Sequence, residues 1–354
     1  MTWRDCRLGD LMRLQRGHDL PAQDREDGEV PVVSSSGITG YHSKEKAAAP
    51  GVVTGRYGTL GEVFYLDRAY WPLNTALYVT DFKGNDPKFT AYFLKNALKD
   101  YQSDKAAVPG IDRNLLHELN VRAPDLALQR RIVDVLAVYD DLIDNNQRRK
   151  KLLEDSVRLL FDEWFVRLRH PSVRPGAADD APPDGWSRRP LEQALWLQRG
   201  FDLPNQDRED GTVPIYGASG INGHHSAAKV KGPGIVTGRA GSLGLVQLVQ
   251  EDFWPLNTTL WVKEFRTVTL RFALHLLRNM GLERYGQGAT MPMLDRKVVH
   301  PVEVLLPPPG PMQAFEDFAT DVYDQIRTLG QANLKLTAAR DLLLPRLMSG
   351  ELAV

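Results

Sequence analysis

Gln15–Pro31 reads QRGHDLPAQDREDGEVP, and Gln198–Pro214 reads QRGFDLPNQDREDGTVP. The two copies stand 183 residues apart, and the interval holds elsewhere: VTGRYGTLG from Val53 returns as VTGRAGSLG from Val236, and WPLNT from Trp71 returns from Trp254. Pro109, Asp112 and Arg113 match Pro292, Asp295 and Arg296 at the same offset. No insertion separates the copies. The period far exceeds the roughly 20 to 50 residues of solenoid repeats, so each copy is long enough to fold as a domain. The chain is a tandem duplication, and the expected product is pseudo-two-fold.

A chain of 354 residues, 42% of them hydrophobic, has the length for two domains with real cores. Its single cysteine, Cys6, excludes a disulfide framework and any zinc site built on paired cysteines, and fits a reducing compartment. No signal-like apolar stretch follows Met1, and no run approaches the roughly 18 apolar residues of a membrane span. The expectation is a soluble cytoplasmic protein with no membrane partner. A net charge of −1 argues against a strongly basic nucleic-acid binder, yet it says nothing about a local basic face.

Each copy contains two kinds of segment. Residues 1–122 and 186–306 are rich in short β-type runs punctuated by glycine turns. After the first, Ile132, Leu136, Tyr139, Ile143, Asn146, Lys150, Leu153, Val157, Leu160 and Trp164 step alternately by four and three. Phe315, Ala319, Val322, Ile326, Leu329, Asn333, Leu336, Arg340, Leu343 and Leu347 take the same steps, each 183 residues after its counterpart. These spacings predict coiled-coil seams in two helical regions, 123–169 and 307–354. Rods of roughly 50 to 60 Å follow from 1.5 Å per residue. The economical cover for each apolar stripe is the other rod, and a pseudo-dyad makes the pair antiparallel. Asn146, Lys150, Asn333 and Arg340 inside the seams weaken them but penalise slipped registers. The proline-rich stretch around 170–185 reads as a linker. Pro345 and Gly350 are expected to close the second helix or kink its last turn. The predicted class is α+β: two similar β-rich domains, each followed by a long helix, with the helices packed as an antiparallel coiled coil.

Motifs of catalysis are few. VTGRYGTLG lacks the G-K-[ST] ending of a phosphate-gripping P-loop. No N-P-P-[YF] stretch of an adenine methyltransferase is present, and no glutamate is followed two places later by lysine as in a P-D…E-x-K nuclease. His42, His224 and His225 lack the cysteine or carboxylate cluster that completes a metal site. No catalytic or metal-binding residue is therefore expected.

The repeated loops fit base reading better, since they set donors beside glycines that let backbone approach a duplex. Arg56 and Arg239 occupy the same place in T-G-R-x-G, where arginine pairs with guanine O6 and N7 or holds a phosphate. The competing role is an ion pair with the acidic QDREDG segment. Arg113 and Arg296, repeated beside Asp112 and Asp295, join the DNA-binding candidates. Asn74 and Asn257 in WPLNT either contact adenine or cap a turn. SSSGITGYHSKEK from Ser34 and GASGINGHHSAAK from Gly217 keep their glycines while their side chains diverge, as readout loops with different targets do. That adds Ser36, Tyr41, His42 and Lys44, with Ser219, His224, His225 and Lys229. The alternative is a solvated hairpin tip. RRKK from Arg148 reads as a solvated helix face.

This pattern resembles the specificity subunit of type I restriction-modification systems, in which two target-recognition domains alternate with two conserved helical regions. The resemblance rests on LGDLMRLQRGHDLP at Leu8, VTGRYGTLG at Val53, LALQRRIVDVLAVYDDLIDNNQRRKKLLEDSVRLLFDEWFV at Leu126, PPDGW at Pro182 and LLLPRLMSGEL at Leu342, and so spans the whole chain. GPMQAFEDFATDVYDQIRTL, at the start of the second helical region, is a looser version of the first. The resemblance implies a non-catalytic reader of a bipartite double-stranded DNA target. It also implies two modification (methyltransferase) subunits, and restriction (translocase and endonuclease) subunits, as partners. S-adenosylmethionine, and ATP with Mg in the restriction complex, are then bound by those partners and not by this chain. Ile132, Leu136, Ile143, Leu153 and Leu160 of one helix, and Val322, Ile326, Leu329, Leu336 and Leu343 of the other, form the expected helix interface. Two rivals remain open: the related system with methylation and cleavage on one partner chain, and a duplicated scaffold for protein or carbohydrate.

Overall fold

The computed structural model describes residues 3–57, 61–99, 110–173, 182–288 and 292–354; residues 174–181, within the expected linker, lie outside this set. Contacts gather the chain into two units, Met1–Asn146 with Gln331–Val354, and Gln147–Gly330. Both unit boundaries fall inside the long helices, Leu126–Phe161 and Pro309–Ser349.

In the first unit an antiparallel four-stranded sheet runs in the order Arg13–Arg16, Ala76–Asp81, Gly51–Gly55, Val63–Leu66. A three-stranded sheet is centred on Val30–Ser34, which pairs antiparallel with Gly37–His42 and parallel with Trp71–Pro72. Trp3–Arg7 pairs with Asn120–Pro124. The second unit repeats this topology: Leu195–Arg199, Thr259–Phe265, Gly234–Gly238 and Val246–Val249 form the larger sheet, and Val213–Gly217 centres the smaller one. Even the register shifts recur, between Arg13 and Leu14 and between Trp196 and Leu197. The helix Pro87–Leu98 begins at Asp86, whose carboxylate accepts the Lys88 and Phe89 N–H groups at 2.9 Å, and proline at the first helical position fits the turn.

The long helices are structural parts of the β-rich domains and not detached rods. Leu128, Ile132 and Leu136 of the first helix and Leu344, Leu347 and Met348 of the second join Leu8, Leu14, Val52, Phe89 and Leu94 in one core. In the second unit Val157, Phe161, Phe315, Ala319 and Val322 do the same with Leu197, Ile235, Leu260 and Phe272. Within the first unit, Asn146 meets Asn333 and Asp140 meets Arg340, so residue numbers fall on one helix as they rise on the other: the pair is antiparallel. Within the second, Phe161 packs on Phe315 at 5.6 Å between ring centroids, while Lys150 Nζ lies beside Gly330, again antiparallel. Ile143, Leu153, Leu160, Ile326, Leu329, Leu336 and Leu343 are half-buried along these seams.

Pro345 does not end the second helix, which continues to Ser349. Gly350, with φ of +78°, supplies the left-handed stop that other residues resist. No helix among the described residues is long and apolar enough to cross a membrane.

Candidate nucleic-acid interface

Three repeated motifs that lie far apart in sequence converge on one cleft in each unit. The glycine of QRG makes this possible. A Cβ on Gly17 would lie 2.1 Å from the Leu73 carbonyl oxygen, and one on Gly200 2.2 Å from that of Leu256, so only glycine lets QRG lie against WPLNT. Gly17 N–H donates to Ala76 O at 3.0 Å, and Arg56 N–H donates to Thr75 O at 2.9 Å, which brings the T-G-R strand to the same loop. Ile111 N–H then donates to Arg56 O at 2.9 Å, drawing in the third motif. The copy repeats each bond: Gly200 to Thr259 O at 3.1 Å, Arg239 to Thr258 O at 2.8 Å, and Leu294 to Arg239 O at 2.8 Å.

Asp112 and Asp295 accept the Asn114 and Lys297 N–H groups at 2.9 Å, opening short helices that begin with Arg113 and Arg296. His117 and His300 staple those helices to the sheet, their Nε2 atoms accepting Leu14 N–H at 2.9 Å and Leu197 N–H at 3.1 Å. Burial pushes both imidazoles below their usual pKa, which keeps them neutral and able to accept.

The result is a cleft of about 320 Å³ with Arg16, Arg56 and Arg113 on its walls, and in the second unit one of about 600 Å³ with Arg199, Arg239, Arg296 and Lys297. A chain of net charge −1 thus concentrates three or four cations at each of two equivalent places. Asp112 shares the first lining and Asp202 and Asp295 the second, so each cleft keeps an excess of positive charge, which suits an anionic ligand such as a phosphate.

Arg56 and Arg113 are brought together in the first unit, and Arg239 and Arg296 in the second. None of the four pairs with a carboxylate of QDREDG: Arg56 stacks on Tyr57 at 4.5 Å from the ring centroid, and Arg239 reaches Asn257 O at 3.4 Å. Arg16 and Arg199 were not among the sequence candidates. The signal was present in the repeated QRG itself, whose arginine is as faithfully duplicated as its glycine. Asn74 and Asn257 donate their side-chain amides to Asp19 and Asp202, which also lie 3.8 and 3.6 Å from Arg16 and Arg199. They position the carboxylate that orients an arginine.

The hairpins divide the other candidates. Tyr41, Ser36, Ser219 and His224 are exposed on Gly37–His42 and its copy, or on the turns before them. His42 and His225 are 4% and 6% exposed, which corrects their expected place in a reading surface. Their Nδ1 atoms accept Glu26 and Glu209 N–H at 3.0 Å, and their rings meet Trp71 and Trp254 edge-on. QDREDG is the brace of this hairpin: Arg25 donates to Thr39 O at 2.9 Å and Arg208 to Asn222 O at 2.8 Å. Lys44 lies 3.2 Å from Glu26, whose carboxyl is held below its usual range by hydrogen bonds from Ser43 and Lys44. Lys229 sits over Trp254 at 5.0 Å, as Lys46 does over Trp71 at 5.4 Å.

Residues 1–155 match the family model described as the type I restriction modification DNA specificity domain. The chain is 23% identical over 294 residues to the type I restriction enzyme MjaIX specificity subunit of Methanocaldococcus jannaschii, covering 75% of this chain and 68% of that protein. Its fold is similar to that of the S subunit of a type I restriction-modification system from M. genitalium, with a TM-score of 0.59, 17% identity, and 98% and 96% of the two chains covered.

Proposed function

We propose, from the premise that this chain belongs to the specificity-subunit family of type I restriction-modification systems, that its two arginine clefts each read one half of a bipartite DNA target. The observation that carries this is the recurrence of Arg16, Arg56 and Arg113 as Arg199, Arg239 and Arg296, each trio lining a cleft of its own unit. Arginine offers a planar fork that matches guanine O6 and N7 and also grips phosphate, so one cleft supplies both discrimination and grip.

The chain's part is recognition and positioning. Methyl transfer from S-adenosylmethionine belongs to two modification subunits that the helices hold, and ATP- and Mg-dependent cleavage to restriction subunits. The balanced net charge favours this division, because few released counterions make the lone chain a weak DNA binder. Salt-sensitive affinity should rise when modification subunits close on the duplex.

The test is methylome mapping with the modification subunits of the same locus. Arg56→Ala should relax one base of one half-site, at about 1 to 3 kcal/mol per lost bidentate base contact, and Arg239→Ala should weaken methylation through the other half alone. An unchanged methylation motif in both folded variants refutes the reading.

A further inference from the structure

The two clefts share their three arginines but differ at one cross-strand pair. Tyr57 bridges to Gly110 in the first unit, and at the same places Ala240 bridges to Met293 in the second. The exchange is compensatory: a Cβ on Gly110 would meet the Tyr57 ring at 2.6 Å, so the ring fills the space a side chain would take, whereas Ala240 leaves it open and Met293 stands 38% exposed. The consequence falls on the adjacent arginine. The Arg56 guanidinium lies over the Tyr57 ring, 4.5 Å from its centroid, and has no side-chain hydrogen-bond or ion-pair partner among the described residues. Among the described residues the Arg239 guanidinium has no ring beneath it and one hydrogen bond, to the Asn257 carbonyl at 3.4 Å, and its cleft carries Lys297 where the first has Asn114.

We infer that the pair at 57 and 110, against 240 and 293, sets how strictly each domain reads the base facing its central arginine. Tyr57 is a positioning residue that holds the Arg56 fork edge-on to a guanine, while Arg239, unstacked and beside Lys297, holds backbone phosphate. A stacked guanidinium keeps its edge N–H groups for in-plane acceptors, as bidentate guanine contact requires; an unstacked one beside a second cation is suited to a diffuse anionic ligand. The half-site read by the first domain therefore contains a strict guanine, and the equivalent position of the other half-site is degenerate. This rests on the clefts being DNA-reading sites.

The experiment is methylome mapping of the full chain with its modification subunits. Tyr57→Phe keeps the stack and should keep the motif. Tyr57→Ala with Gly110→Met imports the second unit's packing pair, so the cleft stays filled; it should lower discrimination at one base of the first half-site about tenfold while the other half-site is untouched. Arg56→Ala separates the two levels. If it leaves the motif unchanged, the cleft reading itself fails. If it relaxes that base but the Tyr57→Ala, Gly110→Met variant does not, only the role of the pair is overturned. A wild-type motif with equally strict guanines in both half-sites overturns the inference as well.

Discussion

The Asn146 side-chain amide donates to the Asn333 side-chain oxygen at 2.8 Å, and Asn333 in turn donates to the Ile143 carbonyl at 3.1 Å; both residues are less than a tenth exposed. The duplication does not repeat this pair, because the counterparts of Asn146 and Asn333 are Leu329 and Lys150. A buried amide pair in an otherwise apolar seam fixes register, since any slip sets an amide against leucine.

The two asparagines should not respond alike to substitution. Asn146→Leu leaves Asn333 its bond to Ile143 and orphans one oxygen, costing about 1 kcal/mol; Asn333→Leu removes both bonds and orphans the Asn146 amide, while the Ile143 carbonyl keeps its intrahelical bond, costing about 2 kcal/mol. Urea midpoints at unchanged slope measure both. Equal losses would mean that the Ile143 bond contributes nothing.

Glycines 17 and 200 join QRG to WPLNT. Gly17→Ala or Gly200→Ala must separate the two segments, because the new methyl meets backbone and no side chain can swing away. Each should cost about 3 kcal/mol, at the upper end for overpacked sites, and should displace the neighbouring Arg16 or Arg199. Thermal unfolding together with mapping of the affected half-site checks this; a full-strength motif with unchanged stability rejects the close contact.

The duplication, the heptad phase and the antiparallel sense were legible in sequence because they rest on spacing, and spacing survives whatever the side chains touch. Arg56 and Arg113 were legible as repeated cations, but their convergence was not, since it depends on Ile111 bonding to Arg56 across more than fifty residues of chain. His42 and His225 misled because a histidine in a glycine-rich hairpin looks the same whether it faces water or a buried tryptophan. QDREDG stood in sequence as an acidic ion-pair partner, whereas its arginine braces that hairpin. The merging of each helix into both cores was equally hidden, because a heptad stripe shows that a face is covered and not by what.

Acid should weaken the second unit through His275. It sits between Phe161 and the Tyr323 hydroxyl, to which its Nε2 lies at 3.1 Å, and burial, assisted by Arg278 and Arg158, pushes its pKa down to about 3. The folded pKa lies below the unfolded one, so the unfolded chain binds the proton first, and stability is full above about pH 6.5 and falls as pH drops toward the folded value. Between pH 7 and pH 5 the loss is roughly 2 kcal/mol. His275→Phe should flatten that limb, with Tyr323 keeping its bond from Arg278 at 3.3 Å. The same slope in variant and wild type, by urea titration at the two pH values, assigns the acid lability elsewhere.

The last prediction concerns the helices as a spacer between the two reading units. Each helix changes unit at one point, between Asn146 and Gln147 and between Gly330 and Gln331. A heptad inserted at the first point alone cannot keep both Asn146 opposite Asn333 and Phe161 opposite Phe315, so it should destabilise the chain and abolish methylation. Heptads inserted at both points leave every contact inside each unit intact and pair with each other. They lengthen the pair by roughly 10 Å, about three base pairs of B-DNA, while keeping the apolar phase. The half-site bases should then stay the same while the unspecified gap between them grows by about three. Methylome mapping of the doubly extended chain decides it: methylation at the original spacing by a folded, active complex would show that the helices do not measure the gap.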